Sequence, residues 1–362
     1  MATKKQTTAL AKIDQAEGEV VAKGGAEIFS FGDPEPVLDR SRVWDYFEMW
    51  QNGKWYEPPL PMASLAKSFN LSAHHRTAIG LKVNMLLTQH IPSRWLSSTS
   101  FERWALDFLQ MANAYLEGVA NLAGGFAVAK PSPALNTRVG VEPGSFFFVN
   151  YRTAMGKEHE FKKGSIFHLL QPDVAQEIYG LPEWIAALQS MILNEDATLF
   201  RRKYYRNGAH MGFVMSITDT IPEPETVEQL KKAFADAKGP GNFRNLLLYM
   251  PGGGKDGVKI TPIADITAKD EFTNIKNITR DDMLAAHRTP PQLVGIIPQN
   301  NGGFGDVGKA RDTFYLTEII PIIRRMLGVN AFFGVKMLSF ADYVTSDGKM
   351  RITENGDVTP IA

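Results

Sequence analysis

The residues whose types could do chemistry are few, and each has a plain alternative. Gly252-Gly253-Gly254-Lys255 has the makings of a loop whose backbone amides cradle phosphate, but such a loop needs Ser or Thr after the lysine to hold magnesium. Asp256 stands there instead, and the flanking residues read as a hairpin and not as a strand leading into a helix. Gly302-Gly303-Phe304-Gly305 does precede a helix, whose free amides favour an anion, yet the spacing of a dinucleotide fingerprint is missing and flexibility is the expected use. Asp281-Asp282, Asp306 and Asp312 are the carboxylates from which a two-metal nuclease centre would be built; nothing gathers them, and acids at helix starts account for two. The seven histidines lie apart except His74-His75, and neighbouring helix positions point about 100° apart, which spoils shared ligation. Cysteine is absent, which removes thiolate metal sites, disulfides and cysteine nucleophiles. No catalytic, cofactor or metal residue is expected, and a metal-dependent nuclease or nucleotide-binding enzyme stands as the alternative reading. Arg201, Arg202, Lys203 and Arg206 have two readings of equal weight. They complement a helix C-terminus at about 0.3–1 kcal/mol each, or they meet phosphates or an acidic neighbouring subunit.

Charge narrows the partners. Lys plus Arg and Asp plus Glu both total 39, a formal net charge of zero. A tight DNA binder concentrates positive charge, because each neutralised phosphate adds affinity by counterion release. This balance argues against tight binding and suits a surface past which DNA slides, where strong phosphate contacts would act as brakes. No window has the apolar run of a membrane span or the apolar core of a secretory signal, so an unexported protein without a membrane partner is expected.

The elements that must position these residues read as α+β. Residues 1–25 are expected to be a disordered tail, with order beginning after Gly24-Gly25. Trp44, Tyr46, Phe47, Trp50 and Trp55 supply aromatic density for a core or a subunit contact. The spacing predicts a helical stretch over 62–89, with Ile79, Val83 and Leu86 inward, and a second helix over 100–117 opened by Thr99 and Glu102 as a capping box. Short strands at 126–129, 145–150 and 165–170 follow, so residues 26–180 form one α+β unit. The helix 183–206 has consistent terminal signals: Pro182 and Glu183 at its start, basic residues at its end, then Asn207-Gly208. It would be about 36 Å long, and Asn194-Glu195-Asp196 interrupt its apolar face. Residues 209–268 read as a small α/β insert: a strand at 212–217, a helix at 226–238, and strands 246–250 and 258–263 paired across the triple glycine. A helical stretch over 270–288 follows, with Thr279 and Asp282 as an internal capping pair that allows two segments, then a loop over 292–305, then a helix over 306–327 kinked at Pro321. A strand around 335–340 and a polar tail end the chain.

Five blocks, in order, resemble the portal proteins of P2-like tailed bacteriophages. The first runs through Glu177-Ile178-Tyr179-Gly180, Asn194-Glu195-Asp196-Ala197-Thr198-Leu199-Phe200-Arg201-Arg202-Lys203-Tyr204-Tyr205 and Asn207-Gly208-Ala209-His210. The others include Lys238-Gly239-Pro240-Gly241-Asn242-Phe243-Arg244-Asn245, Thr279-Arg280-Asp281-Asp282, His287-Arg288-Thr289-Pro290-Pro291 and Gly302-Gly303-Phe304-Gly305-Asp306-Val307. The resemblance implies a portal fold: a wing over 26–180, a first stem helix over 181–208, a clip over 209–268 and a second stem helix over 269–289. It further implies a tunnel loop over 290–305 facing DNA, a kinked helix over 306–328, and a returning wing strand and C-terminal tail over 329–362. The tunnel loop would present Gln299, Asn300, Asn301, Gly302, Gly303, Phe304 and Gly305, and the basic run at 201–206 would face the channel or a neighbouring subunit. Too few residues follow Phe340 for a substantial helical crown, which is expected to be minimal or absent. By the same resemblance the chain would form a dodecamer at one capsid vertex of the virion, assembled in the host cytoplasm. Double-stranded DNA would be packaged and ejected through it, and terminase, the major capsid protein and head-completion proteins would dock on it.

Overall fold

The computed structural model describes residues 20–22, 26–28, 51–150, 157–174, 176–206, 213–217, 246–249, 258–262, 268–296 and 305–361. The chain divides into two compact units: Met1–Glu35 with Thr198–Phe272, and Pro36–Ala197 with Thr273–Ala362. In the first unit, β1 (Val20–Ala22) pairs antiparallel with β2 (Ala26–Ile28). This corrects the expected disordered tail over 1–25 at its end, because the β-branched Val20 and Val21 find a strand partner beyond the glycines. Trp44, Tyr46, Phe47 and Trp50 lie outside the described residues.

The second unit opens with α1 (Met62–Ser68) and α2 (Ala73–Gln89), where one helical stretch was expected. Ser72 starts α2 by accepting a hydrogen bond from the His74 amide, and Ile79, Val83 and Leu86 are buried as their spacing predicts. After β3 (His90–Ile91) comes α3 (Ser98–Met111), capped by Ser97, which accepts from the Ser100 amide; the Thr99–Glu102 capping box is not used. The helix does not reach residue 117. Ala112 turns left-handed at φ 57° with its amide on the Phe108 carbonyl, and β4 (Asn113–Ala120) follows directly. The apolar spacing misled because Phe101, Trp104 and Phe108 on the helix and Tyr115 on the strand all enter the core.

Two antiparallel sheets complete this part, built from β5 (Phe126–Ser132), β6 (Thr137–Val139), β7 (Phe146–Asn150), β8 (Lys157–Glu160) and β9 (Ile166–Leu170). Their orders are β5-β4-β9 and β6-β7-β8. Trp55 is buried against Phe147, so this member of the aromatic run is core.

A 3₁₀ turn over Glu183–Ala187 leads into α4 (Leu188–Arg206), so the expected helix is continuous with a tightened first turn. In the first unit, β10 (Phe213–Ile217), β11 (Leu246–Tyr249) and β12 (Val258–Pro262) lie in the order β11-β10-β12. The expected hairpin between residues 246–250 and 258–263 is therefore wrong. β11 runs parallel to β10 on one edge and β12 antiparallel on the other. A parallel partner needs a long crossover, which residues 218–245 are long enough to supply. The predicted helix 226–238 and Gly252-Gly253-Gly254-Lys255 lie outside the described residues.

Next, α5 (Ala268–Ala286) is one helix and not two segments. The Thr279 hydroxyl donates to the Ile275 carbonyl within it instead of capping a new start. Pro291–Val294 form a 3₁₀ turn, and Asp306 caps α6 (Val307–Phe314) by accepting from the Lys309 amide at 2.9 Å. A π-helical turn over Tyr315–Ile319 joins α6 to α7 (Ile320–Phe333), where Pro321 occupies the first turn. The expected proline kink becomes this wide turn: the Ile320 amide reaches five residues back to the Tyr315 carbonyl, making room for the ring. The helix continues beyond residue 328 and stops at Gly334, φ 66°.

β13 (Ser339–Phe340) pairs with β3, and the expected polar tail is instead a meander of β14 (Tyr343–Val344), β15 (Met350–Ile352) and β16 (Val358–Pro360). Tyr343 and Ile352, paired across two strands, are the buried anchors that composition alone hid.

Candidate functional site

Within the second unit, the stretch of α4 up to Ala197 and the stretch of α5 from Thr273 stand side by side. Asn194 on α4 is buried and donates to Thr279 Oγ1 on α5 at 2.7 Å, while Lys276 Nζ donates to Asn194 Oδ1 at 3.3 Å. Ser190 Oγ donates to Asp282 Oδ2 at 2.8 Å. Numbers rise on one helix as they fall on the other, so the pair is antiparallel. The polar interruption at Asn194 is thereby explained: it is a satisfied contact between helices. Leu193 and Ile278 each precede a member of the Asn194–Thr279 pair. The approximate two-fold axis of an antiparallel pair puts them on the same side of the layer, where they are 48% and 62% exposed.

At the root of this pair lies a buried polar cluster. His75 Nδ1 is 2.9 Å from His287 Nε2, and His75 Nε2 is 3.1 Å from Gln110 Oε1. Gln110 donates in turn to the Leu65 carbonyl at 2.6 Å and to Ser68 Oγ at 3.1 Å. The Trp184 ring lies 4.6 Å from the His75 ring, and its indole N–H donates to the Gln110 carbonyl. Burial lowers the His75 pKa to about 4, and burial together with His75 and Lys82 lowers that of His287 to about 2. Ring nitrogens facing each other at this distance share a proton; they do not converge on a metal. Among the described residues no three His, Asp or Glu side chains form a metal-binding group. The nuclease carboxylates are dispersed: Asp282 serves Ser190, Asp306 caps α6, and Asp312 accepts from Tyr343 Oη and from the Ser346 amide and hydroxyl.

Beside the histidines runs a chain of charged contacts. Lys82 Nζ meets Glu318 Oε1 at 2.6 Å, with both side chains under a tenth exposed, and Arg288 meets Glu318 Oε2 at 2.8 Å. Arg288 also pairs with Glu183, whose Oε1 accepts from Gln171 Nε2 at 2.6 Å, and Arg325 donates to Gln171. Burial lowers the Lys82 pKa, and the Glu318 charge opposes that shift. A buried charge persists only when it is paired, and here one enclosed carboxylate holds two cations. The cleft these residues line is about 60 Å³, well short of the roughly 300 Å³ at which small-molecule sites begin.

Of the residues singled out from sequence, Arg201 and Arg202 are exposed on α4. The side chains of Lys203 and Arg206 lie outside the described residues, as do Gln299, Asn300, Asn301, Gly302, Gly303 and Phe304. Gly305 is exposed at φ 65°, immediately before the cap of α6. The histidine pair and the Lys82–Glu318–Arg288 chain were not foreseen, because 212 residues separate His75 from His287 and 236 separate Lys82 from Glu318.

Comparison with known proteins agrees with this architecture. The chain is 44% identical over 317 residues to a probable portal protein of Escherichia phage P2, covering 88% of this chain and 91% of the relative. It is 35% identical to a probable portal protein of Haemophilus phage HP1 (strain HP1c1), covering 86% and 90%. A chain in the neck of the native gene transfer agent particle, computed with C12 symmetry, shares the fold at a TM-score of 0.55 with 15% identity, covering 85% of each chain. The sequence model of the family described as phage portal protein matches residues 67–331, and with those relatives it shows that this chain belongs to the phage portal protein family.

Proposed function

We propose that this chain is the subunit of a dodecameric ring at one capsid vertex, through which double-stranded DNA is packaged and ejected. Terminase, the major capsid protein and head-completion or tail proteins dock on it, and ATP hydrolysis belongs to the motor that docks. In this reading residues 26–180 are the wing, α4 and α5 the two stem helices, 209–268 the clip, and 290–305 the tunnel loop, whose contact with DNA is weak and non-specific. The antiparallel pairing of α4 with α5 through Asn194 and Thr279 carries the reading, since a barrel wall needs such a two-helix layer from every subunit. The twelvefold symmetry of the related neck supports the number. Negative-stain imaging and mass photometry of purified protein should give closed rings of twelve, and a monomer at micromolar concentration would end the proposal.

A closed ring needs heterologous contacts, one face of each subunit meeting a different face of the next. The exposed Leu193 and Ile278 are assigned to one such face. Ile278→Glu removes apolar burial at the contact and puts a charge there, so it should raise the concentration for half-assembly by about tenfold or more. Its effect on the melting of the unassembled chain should be small, because the residue is exposed there. Assembly equal to the wild type would refute this assignment while leaving the ring itself standing.

A further inference from the structure

The two ends of the segment between α5 and the π-turn carry unusual backbone, and a charged contact joins them. At the first end, α5 closes by a Schellman arrangement: the Thr289 amide bonds the Leu284 carbonyl at 2.8 Å and the Arg288 amide bonds the Ala285 carbonyl at 2.9 Å. That arrangement places residue 288 in the left-handed region, φ 51°, where glycine is the residue of least cost. Arginine occupies the position instead, against its backbone preference. At the second end, Glu318 lies in the π-helical turn, an irregularity that costs hydrogen-bond geometry. The Arg288 side chain spans the gap to Glu318, and Lys82 on α2 holds the same carboxylate from the other side. An observed outlier of this kind points to a retained function of the side chain.

We propose that Arg288, with Glu318 and Lys82, is a latch that fixes the two ends of the 289–317 segment against α2, a positioning role for whatever that segment presents. The role rests on the reading of residues 290–305 as the DNA-facing loop, while the latch itself rests only on the described ends. Lys82 supplies the fixed point, since α2 is embedded in the core through Ile79, Val83 and Leu86. Arg288 supplies the adjustable one, since its guanidinium is half exposed and divides its bonds between Glu318 and Glu183.

The test uses full-length assembled protein and Arg288→Gly, the substitution that the backbone favours. If the side chain did nothing, this variant would be at least as well ordered as the parent. The latch predicts the opposite: amide exchange over 289–296 and 305–317 rises about tenfold or more, while α3 and β4 exchange as before and rings persist. Exchange unchanged or slowed at those ends would overturn the proposal, and so would a rise spread evenly through α3 and β4, which marks a merely structural residue. Glu318→Gln should loosen the same two ends; if it fails to fold, Arg288→Gly decides alone. Packaging by the variant rings separates the two layers of the argument. A local rise in exchange with impaired packaging supports both, and a local rise with normal packaging keeps the latch and overturns the DNA-facing reading.

Discussion

Gly180→Ala should leave the second unit unable to reach its native packing. A Cβ at residue 180 would lie 2.4 Å from the Ala112 carbonyl oxygen, 2.5 Å from that of Gln171 and 2.6 Å from the Gln171 nitrogen. All three are backbone atoms, and two of them are already bonded to each other, since the Gln171 amide donates to the Ala112 carbonyl. No side chain can swing away to make room. Asn113 adds a second constraint, reading the same glycine as a strand neighbour would: its Oδ1 accepts from the Gly180 amide at 2.9 Å and its Nδ2 donates to the Gly180 carbonyl at 2.9 Å. Relief therefore means displacing the start of the α4 segment from β4 and β9 together. The cost should exceed about 4 kcal/mol, a large share of the roughly 5–15 kcal/mol that holds a domain folded. Asn113→Ala, which removes the bonds without a clash, should cost about 2–4 kcal/mol. Soluble yield and thermal unfolding measure both. A Gly180→Ala protein melting within about 2 °C of the parent would show that the close approach is not needed.

Gly180 also marks what the sequence could and could not say. It closes the Glu177-Ile178-Tyr179-Gly180 block, legible as part of a family pattern, yet nothing local in those four residues announces three backbone atoms against one α-carbon. The long helices were legible because their evidence is local: caps, terminal charges and an apolar stripe act within one turn. The expected helix over 100–117 runs past the end of α3 because a buried strand following a buried helix continues the apolar spacing for a few residues, and Ala112 gives no sign that it will turn left-handed. The β11–β10 parallel pairing was missed for the opposite reason: a triple glycine is a strong local turn signal, but pairing is decided by partners far apart in sequence. The charged chain at the root of α4 and α5 was beyond reach on the same ground. Lys82, Glu318 and Arg288 are each ordinary charged residues in the sequence until the fold brings them together, and the burial of Lys82 and Glu318 is what makes their pairing obligatory.

Acid should weaken the second unit well before its ordinary carboxylates titrate. His75, His90, His168 and His287 are held neutral, burial lowering their pKa values to about 4, 4, 3 and 2. His168 is enclosed by the rings of Tyr115, Phe146 and Tyr179 even though part of the residue reaches the surface. In the unfolded chain each takes up a proton near pH 6.5. Below that pH the unfolded state binds more protons than the folded one, so the stability these histidines give is complete above pH 6.5 and is lost as pH falls toward 4. Asp107 works against them. Burial raises its pKa to about 6, so the folded state keeps a proton there that the unfolded state releases above about 3.8, and its contribution fades as pH rises through that window. Four protons less one leaves a net uptake of three on unfolding, a slope of at most about 4.1 kcal/mol per pH unit between pH 6 and 4. Urea midpoints measured at pH 7, 6 and 5 should fall steadily across that range, and a flat profile would refute the assignment. His287→Gln keeps a hydrogen-bonding partner for His75 and removes one titrating group, so it should lower the slope by about a third; a variant with the parent's slope would show that His287 does not titrate as its burial demands.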